Sequence, residues 1–335
     1  MPPAAFHRLH SPEFSMPLLA APAAALSWLG RQGTRAVAAS LFIGIMLPPL
    51  AALLKPIFAY ALFALLCLAF LRVDPAEVRK HFTRPRLVAA AAIWMMLGTP
   101  LLIGLSLVAF GMADHLPGLY IAMILQAAAQ PVISAPTLAA LMGLDAALSL
   151  ATLVVCTAVT PLTAPVFAAV FVGAGMTLSP LLLGSKLFAM LAGAAVVAWL
   201  VRRSAGQPWI DSQMERIDGL SVIALFFFAV ALMDGVLHSI LNEPLKVLGL
   251  TLLSFALSLG LAALTALVFV RLGMAQALAL GLAAGNRNMG LMLAAAGTAV
   301  PDLTWLYFAI AQFPIYLMPA MLKPLARRVA PPPSA

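Results

Sequence analysis

The sequence predicts an all-α polytopic membrane protein of ten transmembrane helices, arranged as two inverted repeats of five helices. Three observations lead to this prediction. The chain of 335 residues is 64% hydrophobic and only 9% charged, whereas a soluble domain is about 45–50% apolar and roughly 25% charged. Its apolar residues form runs long enough to cross a bilayer. Its basic residues gather on one side of these runs, as they do in membrane proteins.

Residues 1–35 are predicted to form a polar and interfacial N-terminal segment. Met16 is an alternative start of the chain, because the fifteen residues before it are polar. The apolar run 16–30 falls short of the roughly 20 residues that cross a bilayer. Its basic residues, Arg31 and Arg35, follow the run, whereas a signal peptide has them in front. We therefore predict an interfacial helix and not a cleaved signal peptide.

The ten predicted spans divide into a first repeat (36–172) and a second repeat (180–323), followed by a cytoplasmic tail (324–335). The spans are 36–54, 56–73, 87–111, 117–142, 145–172, 180–201, 217–238, 245–270, 274–298 and 302–323.

The basic residues support this number of spans. With the N-terminus inside, Lys55 and Lys246 lie on the outer side, and Lys186 and Arg287 lie within spans. The other basic residues lie on the inner side: Arg8, Arg31, Arg35, Arg72, Arg79, Lys80, Arg84, Arg86, Arg202, Arg203, Arg216, Arg271, Lys323, Arg327 and Arg328. This asymmetry predicts that both termini lie in the cytoplasm, in a bacterial cytoplasmic membrane. A membrane orientation signal also explains the net charge of +8 without a nucleic-acid partner.

Two sets of five spans must insert with opposite orientation, which is the arrangement of inverted-repeat transporters. The fourth span is interrupted by Gln130-Pro131 and by Ser134-Ala135-Pro136, and the ninth by Gly285, Asn-Arg-Asn and Gly290. Proline removes a helix donor and glycine loosens a helix, so both spans are predicted to break. Two breaks at corresponding positions indicate a substrate site near the midplane.

Arg287 lies about halfway along the ninth span. An arginine at the bilayer centre costs roughly 2.5–3.5 kcal/mol on insertion scales, so it should face the protein interior or a water-filled cavity. One interpretation is a structural arginine whose donors satisfy carbonyl groups of the broken fourth helix. The other is an anion ligand that binds a carboxylate or sulfonate through two N–H groups. The two roles are compatible.

Further candidate substrate ligands are polar side chains around the two breaks and in the fifth span: Asn286, Asn288, Gln126, Gln130, Ser134, Thr137 and Ser149. The alternative for each serine and threonine is a bond to a backbone carbonyl of its own helix. No carboxylate lies mid-membrane, and no metal-ligand, nucleophile–base or nucleotide-binding pattern occurs. We therefore expect no enzyme activity, no cofactor and no metal site, and the expected partners are a small organic anion and the lipid bilayer.

The stretch GLDAALSLATLVVCTAVTPLTAPVF (143–167), which runs up to a Pro-x-x-x-Pro turn at Pro161 and Pro165, resembles the bile acid:sodium symporter family and its bacterial relatives. The ninth span is similar to the family's second signature, with Gly285 and Asn288 retained. The resemblance implies six helices in a core domain and four in a panel, with the fourth and ninth helices broken and crossing. It also implies alternating access by movement of core against panel, with organic anions as substrates.

The chain departs from this family at the residues that bind sodium. The family's acidic position falls on Ala283, its glutamine on Arg287, and its Ser-Asn pair on 135–136; of two hydroxyl ligands, Ser149 is retained and the other becomes Leu153. A fixed guanidinium would also repel Na⁺. We therefore expect a secondary transporter of a small organic anion without classical sodium coupling. One alternative is a sodium- or proton-coupled symporter or exporter of the same fold, in which any Na⁺ is held by carbonyl groups and Ser149. The other is a non-transporting membrane receptor.

Overall fold

The computed structural model describes residues 25–28, 36, 39–74, 78–79, 84–173 and 179–327, and within these it is helical throughout, without a β-strand. Most of the predicted segment 1–35 and the end of the predicted tail lie outside these residues. Among the described residues, seven helices are long and apolar enough to cross a membrane, in agreement with the predicted polytopic membrane protein. Large apolar side chains such as Leu181, Leu245 and Phe110 remain exposed on their outer surfaces, as expected for helices solvated by lipid.

We number the principal helices in chain order. They are α1 Pro48–Arg72, α2 Pro85–Ala109, α3 Pro117–Ala128, α4 Ala135–Leu141, α5 Ala146–Val172, α6 Pro180–Ala205, α7 Met214–Asn242, α8 Pro244–Val268, α9 Met274–Gly285, α10 Met289–Ala296 and α11 Asp302–Ala326. Five of these begin with proline at the first helical position, where a missing N–H costs nothing.

The predicted boundary between the first two spans, at Lys55 and Pro56, is wrong. α1 continues through a 3₁₀ turn at Lys55–Ile57, with helical backbone angles on both sides. Pro56 is accommodated in that turn, and the Lys55 ammonium pairs with the Asp234 carboxylate at 2.9 Å. The chain leaves the helical conformation earlier, at Leu47. The other predicted spans agree with the observed helices to about one turn.

Both predicted breaks are confirmed. α3 and α9 are each 12 residues long, and each is followed by a short extended segment and a second short helix, α4 or α10. Gly290 is not part of the second break, since it lies in the first turn of α10, and Ala135-Pro136 is not part of the first, since it forms the first turn of α4. Pro161 and Pro165 form no turn, because both lie inside α5.

The short helices lie in the interior, packed between the long ones. Almost every residue of α3, α9 and α10 is buried. α9 packs against α8, and α5 packs against α2, α4 and α9. On the other side, α1 packs antiparallel to α7 and against α6. The guanidinium of Arg202, on α6, donates to three carbonyl groups at the C-terminus of α1, those of Phe70, Leu71 and Val73. The two breaks therefore sit at the centre of the molecule.

Candidate functional site

The two breaks meet in a short antiparallel pairing in which Pro131 lies opposite Arg287. Residues 130–132 and 286–288 are hereafter the bridge. Two backbone hydrogen bonds of 2.8 Å hold it together, since the 288 N–H donates to the 130 carbonyl and the 132 N–H donates to the 286 carbonyl. Backbone groups that each broken helix leaves unpaired thus pair with the other broken helix, which satisfies them without water.

Arg287 is the only charged residue among the fully buried side chains of the described part of the chain, with 0% exposure. Its Nε donates to the Ala284 carbonyl at 2.8 Å, and its Nη1 donates to the Met95 carbonyl at 3.1 Å and to the Ala129 carbonyl at 2.8 Å. Its Nη2 donates to the Thr99 hydroxyl at 2.7 Å. A guanidinium has five N–H groups, so these bonds leave one unused. The predicted structural role, donation to a carbonyl of the broken fourth helix, is confirmed at Ala129.

The Met95 carbonyl is available because α2 contains a π-helical segment at Trp94–Gly98. Within it the Thr99 N–H bonds to the Trp94 carbonyl, one residue earlier than an α-helix would use. The next residue, Pro100, has no N–H to offer the Met95 carbonyl. The Thr99 hydroxyl and the Arg287 guanidinium occupy that carbonyl instead.

The other two carbonyl groups belong to helix C-termini. Ala129 is the residue that follows α3, in extended conformation, and Ala284 lies in the last turn of α9. Carbonyl groups at helix ends have no partner within their helix and carry the negative end of the helix dipole. The guanidinium therefore occupies a position that is negative without containing a carboxylate, and no described carboxylate forms an ion pair with Arg287.

Carboxamide side chains lie on the opposite face of the bridge from Arg287. Side chains alternate along extended backbone, which places those of Gln130, Asn286 and Asn288 together. Gln130 and Asn286 are fully buried, and neither side-chain amide has a hydrogen-bond partner in the described protein. The Asn288 side chain caps α10 by accepting from the Leu291 N–H at 3.2 Å. A buried unpaired polar group costs about 1–3 kcal/mol, so these amides require an explanation.

Two further predicted residues, Gln126 and Ser149, are fully buried. The Gln126 carbonyl oxygen accepts from the Tyr307 hydroxyl at 2.6 Å, while its amide nitrogen has no partner in the described protein. Ser149 is fully buried on α5, and so is Thr152, one turn along the same face. Neither hydroxyl has a partner among the described residues. The alternative interpretation, a bond to a carbonyl of their own helix, therefore does not apply to them.

The structure does not bring Ser134 and Thr137 into this buried group. Both side chains are exposed, on the segment that leads into α4 and on α4 itself.

A cavity of about 380 Å³ adjoins the first break. Ile133, next to the bridge, lines it together with Phe70 and Val73 at the end of α1 and apolar residues of α5 and α6. Thr157 provides its only polar side chain. An apolar body could therefore lie beside the bridge without losing hydrogen bonds.

Sequence reasoning did not identify Met95, Thr99, Tyr307 or Thr152 as members of the site. A signal for the first two was present, because Gly98-Thr99-Pro100 in the middle of a span must free carbonyl groups. Among the described residues no three His, Cys, Asp or Glu side chains come together as metal ligands.

The chain was also compared with known proteins. It matches no model of a protein family and no curated protein.

Proposed function

We propose that the protein is a secondary transporter that moves a small organic anion by alternating access, with Arg287 as a built-in cation in place of a coupling Na⁺. One observation carries the proposal. A fully buried guanidinium has four of its five N–H groups bound by neutral oxygens and no anionic partner among the described residues, and unpaired carboxamides lie on the other face of the same bridge.

The architecture supports this proposal. The fourth and ninth spans each consist of a 12-residue half-helix, a break and a second half-helix. This correspondence fits two inverted repeats, 36–172 and 180–323. In the proposed arrangement ten spans cross the cytoplasmic membrane, with both termini and the Arg72 end of α1 inside. Broken helices that meet near the midplane are typical of transporter substrate sites.

The oxygens around Arg287 are of the type that bind a hard cation. Three backbone carbonyl groups and one hydroxyl surround the guanidinium at 2.7–3.1 Å, and carbonyl groups form such sites in channels and ion-binding proteins. Here the protein supplies the cation covalently. A second monovalent cation 4 Å away would be repelled by about 4 kcal/mol at an effective dielectric constant of 20.

The positive charge of Arg287 attracts an anionic substrate even without direct contact. A monovalent anion about 6 Å from the guanidinium gains roughly 3 kcal/mol at the same dielectric constant. The amide N–H groups of Gln130 and Asn286 can donate directly to its oxygens, which satisfies groups that are otherwise unpaired. An apolar remainder can occupy the cavity at Ile133.

A thermal-shift screen of the purified protein tests the proposal. Benzoate, benzenesulfonate and butyrate represent carboxylates and sulfonates of graded size, each in Na⁺ and in choline buffer. An anion that raises the unfolding temperature equally in both buffers is the expected result, because binding to the folded state stabilises it by mass action. A stabilisation that needs Na⁺ would favour the sodium-coupled alternative. Binding without uptake into proteoliposomes would favour the receptor alternative.

A further inference from the structure

An aromatic cluster closes the Lys55 end of the molecule. The Trp305 ring of α11 lies against Phe58 of α1 with ring centroids 5.2 Å apart, and Phe58 stacks on Phe228 of α7 at 5.1 Å. The Trp305 indole N–H donates to the Leu232 carbonyl of α7 at 3.1 Å. Trp305, Phe58 and Phe228 are hereafter the aromatic seal. It joins α11, which follows the second break, to α1 and α7.

A charged pair covers the aromatic seal. The Lys55 ammonium lies 4.8 Å from the centre of the Trp305 ring and 2.9 Å from the Asp234 carboxylate. A cation over an indole face is attracted by the ring's quadrupole. Both charged residues belong to α1 and α7, so they hold the α11 ring in place from one side.

The aromatic seal reaches inward as far as the bridge. A Cβ atom on Gly290 would lie 2.8 Å from two carbon atoms of the Phe228 ring. Gly290 is two residues beyond the bridge residue Asn288, in the first turn of α10. Glycine is therefore required here for Phe228 to approach the half-helix that begins at the candidate site.

A cavity lies on the side of the bridge that faces the C-terminus of α1. Its volume is about 380 Å³, and it is bounded by Phe70 and Val73 at the far end of the same helix that carries Phe58. The Phe228 ring of the aromatic seal thus lies against α10 just beyond the bridge, while Ile133 at the first break borders the cavity.

We propose that the aromatic seal is the outer gate of the transport path, with Trp305 leaving the Lys55–Asp234 pair when the bridge is exposed to the outside. The inference rests on the proposed function, because a transporter must expose its site to each side in turn. In this proposal the structure represents the inward-facing state, with the gate closed. Opening separates α11 and α10 from α1 and α7 and breaks the contacts of Trp305 and Phe228 together.

Cysteine accessibility tests the gate. Ile133→Cys, in a chain whose own Cys67 and Cys156 are replaced by alanine, is labelled with a membrane-impermeant maleimide in right-side-out and in inside-out vesicles. With the gate intact, labelling from the inner side is expected to be faster. Trp305→Ala should raise the labelling rate from the outer side about tenfold, since the closed state loses its stacking, cation–π and hydrogen-bond contacts. Trp209→Ala, which removes an exposed tryptophan elsewhere, should not.

Gly290→Ala provides a second variant that removes no side chain. Its methyl group should displace Phe228 and raise outer labelling in the same direction, and alanine favours the helix. If Trp305→Ala fails to fold, the outer labelling rate of Gly290→Ala tests the gate by itself. Outer labelling that is fast in the parent chain, or that neither variant raises, would overturn the inference. The experiment needs no anion, so a failed thermal-shift screen would count against the proposed function and not against the gate.

Discussion

The bond between Arg287 and Thr99 offers a sharp test of how the buried charge is held. In Thr99→Val the side chain keeps its shape but loses the hydroxyl that accepts from Nη2 at 2.7 Å and donates to the Met95 carbonyl at 2.8 Å. A hydrogen bond to a charged group contributes about 1.5–3 kcal/mol. The per-residue unfolding entropy of about 2.1 cal/mol/K, over 335 residues, gives roughly 0.7 kcal/mol/K. A loss of ~2 kcal/mol therefore lowers the unfolding temperature by about 3 °C.

Thr160→Val is the matched control. Thr160 is equally buried and also donates to the carbonyl four residues earlier, that of Cys156 at 2.7 Å, but it accepts nothing from a charged group. A neutral bond of this kind contributes little net stability, so we expect a shift of about 1 °C or less. The assay is thermal unfolding of both purified variants in the same detergent. Equal shifts for the two variants would refute the view that Thr99 holds a buried charge.

Two further predictions concern the bridge and its support. Asn286→Leu replaces an unpaired buried amide by an apolar side chain, so it should stabilise the folded protein by roughly 1–3 kcal/mol and raise its unfolding temperature. It should also abolish stabilisation by the anion found in the screen. Unchanged anion binding would contradict the assignment of Asn286 as a donor to the anion. Gly285→Ala would place a methyl group 2.5 Å from the Ser258 carbonyl and separate α9 from α8, which costs about 1–3 kcal/mol. Gly249→Ala, where nothing lies within 4 Å of the added methyl group, should leave the stability unchanged. The measurement is the unfolding temperature of both variants, and equal values would contradict the close packing assigned to Gly285.

Much of the fold follows from the sequence because lipid imposes simple rules. Apolar runs of sufficient length must be helical, and proline or glycine inside them frees backbone groups. Both breaks were predictable for this reason, at Gln130-Pro131 and at Gly285. The first boundary was not, since Lys55-Pro56 has the composition of a turn. Its charge is instead balanced by Asp234, a partner 179 residues away.

The site was only partly predictable. A mid-membrane arginine indicates a buried polar centre from sequence alone, and that holds for Arg287. Its partners Met95 and Thr99, about 190 residues earlier in the chain, depend on how α2 packs against the bridge, which hydropathy does not encode. Ser134 and Thr137 show the converse, because polar residues beside a break can still face outward.

The central claim is that the Arg287 guanidinium takes the place of a bound cation. Arg287→Ala tests it most directly, with binding of the screened anion measured by thermal shift in choline buffer and Lys186→Ala as the control. We expect Arg287→Ala to lose the anion-induced shift and to regain it when methylguanidinium is added, because the freed carbonyl and hydroxyl oxygens can bind that ion. Lys186→Ala, whose side chain is exposed, should keep the shift. An Arg287→Ala protein that still binds the anion without any added cation would contradict the claim.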